Sequence, residues 1–168
     1  LSKSIISSLL FFSNIFFYFT GIEYDAPSSL TIPLLHTWSL SIEEQFYIIF
    51  PVLLLAIYKL QKNRYLIIIS IIVISILSAE VLSRYNQDLN FYILSTRVWE
   101  LMCGVLCELI KTNGYEDKIS KKNYEIIHLS ALILIVSSFF LFSYQNRNLS
   151  LLSLFPILLT MLLILFDI

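Results

Sequence analysis

Glycine, cysteine and charged residues are scarce in this chain of 168 residues, and each shortage argues against a class of protein. With three glycines, the chain is poorly suited to build a loop that cradles phosphate, and it has neither a Walker loop nor a G-x-G-x-x-G fingerprint. The two cysteines, Cys103 and Cys107, share one apolar segment, where we interpret them as small apolar side chains. Metal-ligand spacings are missing, so we expect no metal site.

Charge is also low. Charged residues make up 14% of the chain and hydrophobic residues 58%, whereas about a quarter of the residues in a soluble domain are charged. The mean hydropathy of +0.82 predicts that lipid is the surrounding solvent. Net charge is -1, and the lysines fall in short runs between apolar segments. Nucleic-acid binding requires a basic patch or stripe, so we expect no nucleic-acid partner.

Six apolar stretches predict an all-α fold, a polytopic transmembrane bundle of about six membrane segments in a lipid bilayer. They are residues 5–19, 46–58, 65–82, 98–110, 126–144 and 149–166. The third is about 27 Å long as a helix, close to a hydrocarbon core of about 30 Å. The second and fourth are too short alone, so we expect them to extend N-terminally through polar motifs. The first contains several serines and an asparagine, so it either spans or re-enters the membrane.

The distribution of basic residues predicts the orientation. With the N-terminus in the cytoplasm, 8 of the 11 Lys and Arg residues fall in inside connections and 3 in outside ones. This predicts a multi-pass protein of the cytoplasmic membrane. If the third segment crosses, the second and fourth run parallel, and their polar starts lie on the same face.

The first polar motif, residues 36–47, has the sequence HTWSLSIEEQFY. On a helix, His36, Glu43 and Tyr47 would share one azimuth, and a carboxylate near an imidazole suits general acid–base chemistry. The alternative is structural, because glutamates are favourable at a helix N-terminus. Ser41 and Glu44 fit a capping box, with Ser39 as the competing cap.

The second polar motif begins the fourth segment. Arg97, Glu100, Gly104, Glu108 and Lys111 form one polar stripe on a helix. Its structural interpretation is an Arg97–Glu100 ion pair that fixes packing. Its functional interpretation is that Arg97 binds an anionic group or a carbonyl oxygen while Glu100 orients it. Gly104 would let another helix approach closely.

Residues 33–47, PLLHTWSLSIEEQFY, followed by Pro51, strongly resemble the signature of the acyltransferase 3 family of integral-membrane O-acyltransferases. Residues 12–14, 21–27, 91–92, 96–101 and 104 are similar to that family in the same order. The resemblance implies that residues 1–168 are a partial membrane acyltransferase domain, the middle of one with about ten helices. It also implies transfer of an acyl group, most often acetyl from acetyl-CoA, to a hydroxyl of a cell-surface or secreted carbohydrate.

The chain departs from the family at one point. The family's N-terminal helix, with an arginine and the histidine usually regarded as catalytic, has no counterpart here, and His36 is not assigned that role. We therefore expect the chain to be inactive without the missing N-terminal helices of the same protein, and to be cut at its C-terminus as well.

The motifs and the resemblance together give a set of candidate site residues. We expect catalytic roles for His36, Glu43, Glu44, Arg97 and Glu100, and substrate binding by Trp38, Ser39, Tyr47 and Trp99. Acyl-CoA would arrive from the cytoplasmic face, a glutamate would deprotonate the acceptor hydroxyl, and an aromatic ring would stack on a sugar. Two alternatives stay open: a transporter or flippase whose polar residues line a path, and a structural membrane subunit.

Overall fold

A computed structural model of the chain describes residues 2–21, 31–59, 63–112, 121–141 and 153–165, with only the backbone at 121–124 and 139–141. The α-helices of these ranges are α1 Ser2–Leu9, α2 Ser13–Phe19, α3 Thr37–Lys59, α4 Arg64–Tyr85, α5 Gln87–Tyr92, α6 Val98–Thr112, α7 Lys121–Leu141 and α8 Leu154–Leu165. A 3-10 turn, Leu94–Thr96, joins α5 to α6. The described residues contain no strand, and for them the all-α prediction is confirmed.

Helices α3 and α4 are long and apolar enough to cross a membrane. They have 23 and 22 residues, and about 20 suffice for a hydrocarbon core of about 30 Å. Only 22% of the apolar window of each helix is buried, and side chains such as Val52 and Ile74 are exposed. The core helix of a soluble protein would be mostly buried. The open apolar faces suit contact with lipid.

Six spanning helices are not found in the described residues. The first predicted segment, 5–19, is two short helices of eight and seven residues, because Phe11 has a left-handed backbone with φ 57 and interrupts the helix. The last two predicted segments do form α7 and α8, whose described apolar parts are shorter than a full span. The predicted stretches 142–144, 149–152 and residue 166 lie outside the described residues.

The two polar motifs start their helices differently. Helix α3 does extend N-terminally, as predicted, and begins at Thr37. Helix α6 does not, because Ile93 is extended and the Thr96 hydroxyl donates to the carbonyls of Asn90 and Ile93 at 2.7 and 3.0 Å. Arg97 consequently lies in a turn ahead of α6, and α6 has 15 residues, about 22 Å.

The predicted capping box at Ser41 and Glu44 is wrong. Since α3 begins at Thr37, Ser41 lies one turn inside the helix, where its Oγ is 2.7 Å from the Ser13 Oγ and accepts from the Ser13 N–H at 3.2 Å. Ser39 does not cap either, and its Oγ donates to the His36 carbonyl at 3.2 Å. Ser41 thus joins α3 to α2, and Ser39 closes the turn before α3.

Two apolar clusters hold the helices together. The first surrounds the start of α3, and its buried members are Phe17, Leu35, Trp38, Ile42 and Tyr92. The second follows α3, α4 and α6, and its buried members are Phe46, Ile57, Ile68 and Met102. Helix α6 also packs on α8, and α8 packs on α7. The clusters bring the start of α6 against the start of α3.

An amide cluster of Asn14 and Gln45, together with the carbonyls of Phe11 and Tyr92, joins α2, α3 and α5. The Gln45 Nε2 donates to the Phe11 carbonyl at 2.8 Å and to the Asn14 Oδ1 at 2.9 Å. The Asn14 Nδ2 donates to the Tyr92 carbonyl at 2.9 Å. Buried polar groups without partners are costly, so this pairing fixes the relative positions of the three helices.

We predict that replacing Gln45 by Leu destabilises the protein by about 1–3 kcal/mol, because the Phe11 carbonyl and the Asn14 Oδ1 lose their donor. The thermal unfolding midpoint of the intact protein in detergent should fall. The control is Ile48→Ala on the exposed side of α3, where the side chain is 66% exposed and a change within about 0.5 kcal/mol is expected. Equal midpoints for Gln45→Leu and the unchanged protein would contradict the role of this cluster.

Candidate active site

The starts of α3 and α6 form an open cleft of about 80 Å³. This agrees with the prediction that the two polar motifs lie on the same face. The lining residues are Trp38, Ser39, Ile42, Glu43, Arg97, Glu100 and Leu101. Five of the nine predicted site residues are among them: Trp38, Ser39 and Glu43 from the first motif, Arg97 and Glu100 from the second. The fold therefore brings two distant parts of the sequence into one cleft.

Arg97 is held between backbone and aromatic groups. Its Nε donates to the Phe91 carbonyl at 3.1 Å. Its guanidinium carbon lies 4.9 Å from the centroid of the Trp38 ring and 5.0 Å from that of the Phe91 ring. The two rings contact each other, with centroids 4.3 Å apart. Cation–π attraction and the Nε hydrogen bond thus fix the plane of the guanidinium.

Arg97 and Glu100 form a loose ion pair. The Nη1 and Oε2 atoms are 3.8 Å apart, and the side chains are 29% and 34% exposed. This distance exceeds that of a hydrogen bond, so neither group is fully engaged by the other. The guanidinium keeps donors that can reach a ligand in the cleft, while Glu100 supplies a nearby compensating charge.

The charges of the cleft favour particular ligands. Glu43 is exposed at the cleft wall, and with Glu100 it gives two carboxylates against the single guanidinium of Arg97. Two negative charges and one positive charge disfavour a phosphate. The same groups suit a hydroxyl, which donates to a carboxylate, and a carbonyl, which accepts from a guanidinium.

Four predicted site residues are not part of the cleft lining: His36, Glu44, Tyr47 and Trp99. His36 lies in the turn before α3, so the predicted common azimuth with Glu43 and Tyr47 does not hold, because that azimuth required a helix through His36. Tyr47 is 55% exposed, one turn beyond Glu43. Glu44 is half-buried on a neighbouring part of the helix.

Both tryptophans leave little ring surface open for stacking on a sugar. Trp99 is 2% exposed, and its backbone N–H donates to the Ser75 Oγ of α4 at 3.2 Å. Trp38 lines the cleft, but its side chain packs on Arg97, Phe91 and Tyr92 and is 8% exposed. Too little of either ring is open for stacking, and Trp38 instead supports Arg97.

Sequence reasoning missed Phe91 as part of the site and misjudged Gly104. Phe91 contributes a carbonyl and a ring to Arg97, and the one signal for it was the aromatic pair at residues 91–92 shortly before the second motif. A Cβ added to Gly104 would meet nothing within 4 Å among the described residues. The predicted close approach of another helix at Gly104 is therefore absent from the described part of the chain.

Comparison with known proteins identifies a family whose match includes both polar motifs. The sequence profile of a family described as an acyltransferase domain, acyltransferase 3, matches residues 4–166. The chain belongs to the acyltransferase 3 family. No solved structure matches this acyltransferase chain.

Relatives of this acyltransferase chain occur in several bacteria. An uncharacterised protein of Haemophilus influenzae is 31% identical over 158 residues, 89% of this chain and 63% of the relative. The peptidoglycan O-acetyltransferase OatA of Listeria monocytogenes is 31% identical over 137 residues, 78% of this chain and 22% of the relative. YrhL of Bacillus subtilis, provisionally named a peptidoglycan O-acetyltransferase, is 31% identical over 151 residues, which are 83% of this chain and 24% of the relative. The chain thus spans less than two thirds of each relative.

We predict that replacing Arg97 by Ala makes the Trp38 ring more accessible, because the guanidinium covers part of it. Acrylamide quenching of tryptophan fluorescence in the intact acyltransferase should increase. The increase should be lost when Trp38 is also replaced by Phe, which assigns it to that ring.

Arg84→Ala is the matched control, because Arg84 pairs with Glu80 at the exposed end of α4, away from the cleft lining. Its quenching should equal that of the unchanged protein. Equal quenching for Arg97→Ala and Arg84→Ala would show that Arg97 does not cover Trp38.

Proposed function

We propose that this chain forms one wall of the acyl-transfer site of a membrane O-acyltransferase, at which an acetyl group moves from acetyl-CoA to a hydroxyl of a cell-surface or secreted carbohydrate. The observation that carries the proposal is the cleft that Glu43 and Arg97 both line. Family membership supports acyl transfer. The name of the Listeria relative, a peptidoglycan O-acetyltransferase, supports an acetyl group and a glycan acceptor.

The reaction needs a base for the acceptor hydroxyl. The Glu43 carboxylate takes the hydroxyl proton as the oxygen attacks the thioester carbonyl carbon. A new C–O ester bond forms, the C–S bond breaks, and the proton passes on to the CoA sulfur, which leaves as the thiol. We assign this role to Glu43 rather than Glu44, because Glu43 lines the cleft.

The reaction also develops negative charge on the carbonyl oxygen of the thioester. The Arg97 guanidinium is positioned to donate hydrogen bonds to that oxygen, and its plane is already fixed by Phe91 and Trp38. A donor oriented in advance does not have to reorganise as the charge appears, which is the most effective form of electrostatic catalysis. Glu100, 3.8 Å from Arg97, supplies a compensating negative charge.

The size and charge of the cleft limit which part of acetyl-CoA it takes. A cavity of about 150 Å³ holds benzene, and this cleft measures about 80 Å³. By this comparison it accommodates about the size of an acetyl group, and the acceptor hydroxyl approaches from its open side. The pyrophosphate of CoA is disfavoured by the two carboxylates, so the nucleotide binds outside this lining.

We further propose that the chain is a multi-pass protein of the cytoplasmic membrane with the cleft on the outer side. Helices α3 and α4 have the length and the exposed apolar faces that spanning requires. The bias of Lys and Arg toward the opposite end of these helices supports this orientation. A glycan acceptor would then meet the cleft from outside the cell.

We predict that Glu43→Gln lowers transfer by about 10²–10⁴-fold, the usual contribution of a general base, with protein abundance unchanged. The measurement is acetate released by mild alkali from the envelope polysaccharide of deletion cells that express the intact variant protein. Glu44→Gln is the matched control, since it alters the neighbouring carboxylate outside the cleft lining. Equal acetate from Glu43→Gln and Glu44→Gln would contradict the assignment.

The same cells separate an enzyme from a transporter. Membranes that contain the unchanged protein should transfer radiolabel from acetyl-CoA to added envelope glycan, and deletion membranes should not. A deletion strain whose membranes still label glycan, but whose surface lacks acetylated glycan, would favour the transporter interpretation.

A further inference from the structure

Asn14 is a buried polar side chain outside the cleft lining that contacts two other helices. Its side chain is 1% exposed. Its Oδ1 accepts from the Gln45 Nε2 of α3 at 2.9 Å, and its Nδ2 donates to the Tyr92 carbonyl of α5 at 2.9 Å. Asn14 and Tyr92 are 78 residues apart in the sequence. This long-range pair therefore fixes α5 relative to α2 and α3.

The end of α5 needs this donor. Helix α5 has six residues, and Ile93 after it is extended, so the Tyr92 carbonyl lies in the last turn, where carbonyls lack a partner within the helix. Tyr92 is 2% exposed and belongs to the apolar cluster around Trp38. Water does not readily reach such a site, so the bond from the Asn14 Nδ2 is not easily replaced.

The residue before Tyr92 holds Arg97. The Phe91 carbonyl accepts from the Arg97 Nε at 3.1 Å, and the Phe91 ring lies 5.0 Å from the guanidinium carbon. Tyr92 in turn contacts Trp38 edge-on, with ring centroids 5.8 Å apart. A shift of the Phe91–Tyr92 backbone would therefore move the guanidinium relative to Glu43 and the cleft.

We propose that Asn14 is a positioning residue for Arg97: by holding the Tyr92 carbonyl, it sets the place of Phe91 and so of the guanidinium in the cleft. The inference rests on the proposed function, in which Arg97 stabilises the developing oxyanion. A simpler role would be to attach α2 to α3, and the two roles make different predictions.

Ser13 provides the matched control. It is the neighbouring residue in α2, is 0% exposed, and bonds to Ser41 of α3 through both its N–H and its hydroxyl. Replacing Ser13 by Ala weakens the contact between α2 and α3 without touching α5. A residue that only attaches α2 to α3 should therefore behave like Ser13.

Two replacements of Asn14 separate its acceptor from its donor. Asn14→Ala removes both, including the longer bond of 3.5 Å from its Nδ2 to the Gln45 Oε1. Asn14→Asp keeps an acceptor for the Gln45 Nε2 and nearly the same shape, but as a carboxylate it has no N–H for the Tyr92 carbonyl. If the Asn14→Ala protein does not accumulate in the membrane, the test uses the Asn14→Asp protein alone.

The experiment measures kcat for transfer of label from radiolabelled acetyl-CoA to isolated envelope glycan, using membranes with the intact protein and normalising to its abundance. We expect Asn14→Ala and Asn14→Asp to lower kcat by about tenfold or more, and Ser13→Ala to stay within about threefold. The same replacements are then repeated with Arg97→Lys, which keeps the charge but lacks the Nε donor to Phe91. In that background, the effect of Asn14→Asp should shrink to within about threefold, because a shared path makes the two losses non-additive.

The outcomes are distinct. Equal losses for the Asn14 and Ser13 variants, or a loss from Asn14→Asp that is fully additive with Arg97→Lys, would overturn the positioning role while leaving the proposed function intact. Normal kcat for Arg97→Lys and for Arg97→Ala would overturn the proposed function and this inference with it. Non-additive losses confined to Asn14 support both.

Discussion

The hydrogen bond from Asn14 to the Tyr92 carbonyl is the contact on which the arrangement of the cleft depends. An apolar chain in lipid has little water to satisfy polar groups, so a buried amide is costly unless it finds a partner inside the protein. Asn14 takes Gln45 on one side and Tyr92 on the other. Helices α2, α3 and α5 are thereby joined at one point, and the turn that follows α5 delivers Arg97 to the start of α3.

The cleft follows from that placement. Arg97 does not form a short ion pair, since its Nη1 is 3.8 Å from the Glu100 Oε2. It is instead held by a backbone carbonyl and two aromatic rings, which leave donors of the guanidinium for a ligand. Glu43 reaches the same space from α3. A fixed cation and an accessible carboxylate that line one cleft can serve as the oxyanion donor and the general base of the proposed acyl transfer.

The sequence predicted the helical class and the N-terminal extension of α3, because both follow from local hydrophobic runs and residue types. It also predicted that the two polar motifs lie on the same face, because that follows from the order of the helices. It did not predict the break at Phe11, since a left-handed backbone is rare at a phenylalanine and the Phe11 carbonyl accepts from Gln45, which is distant in the sequence. The capping box failed for a related reason: Ser41 bonds to a distant helix rather than to its own. The burial of Trp38 and Trp99 was not predicted, because burial depends on neighbours far away in the sequence.

Acyl transfer at the cleft is tested most directly by protection of a cysteine placed in its wall. Ser39 lines the cleft, so Ser39→Cys in the intact protein should react with N-ethylmaleimide, and mass spectrometry can follow that residue alone. Acetyl-CoA should slow the reaction several-fold at Ser39→Cys and leave it unchanged at Tyr47→Cys, which lies outside the lining. Equal rates at Ser39→Cys with and without acetyl-CoA would contradict the placement of the reaction in this cleft.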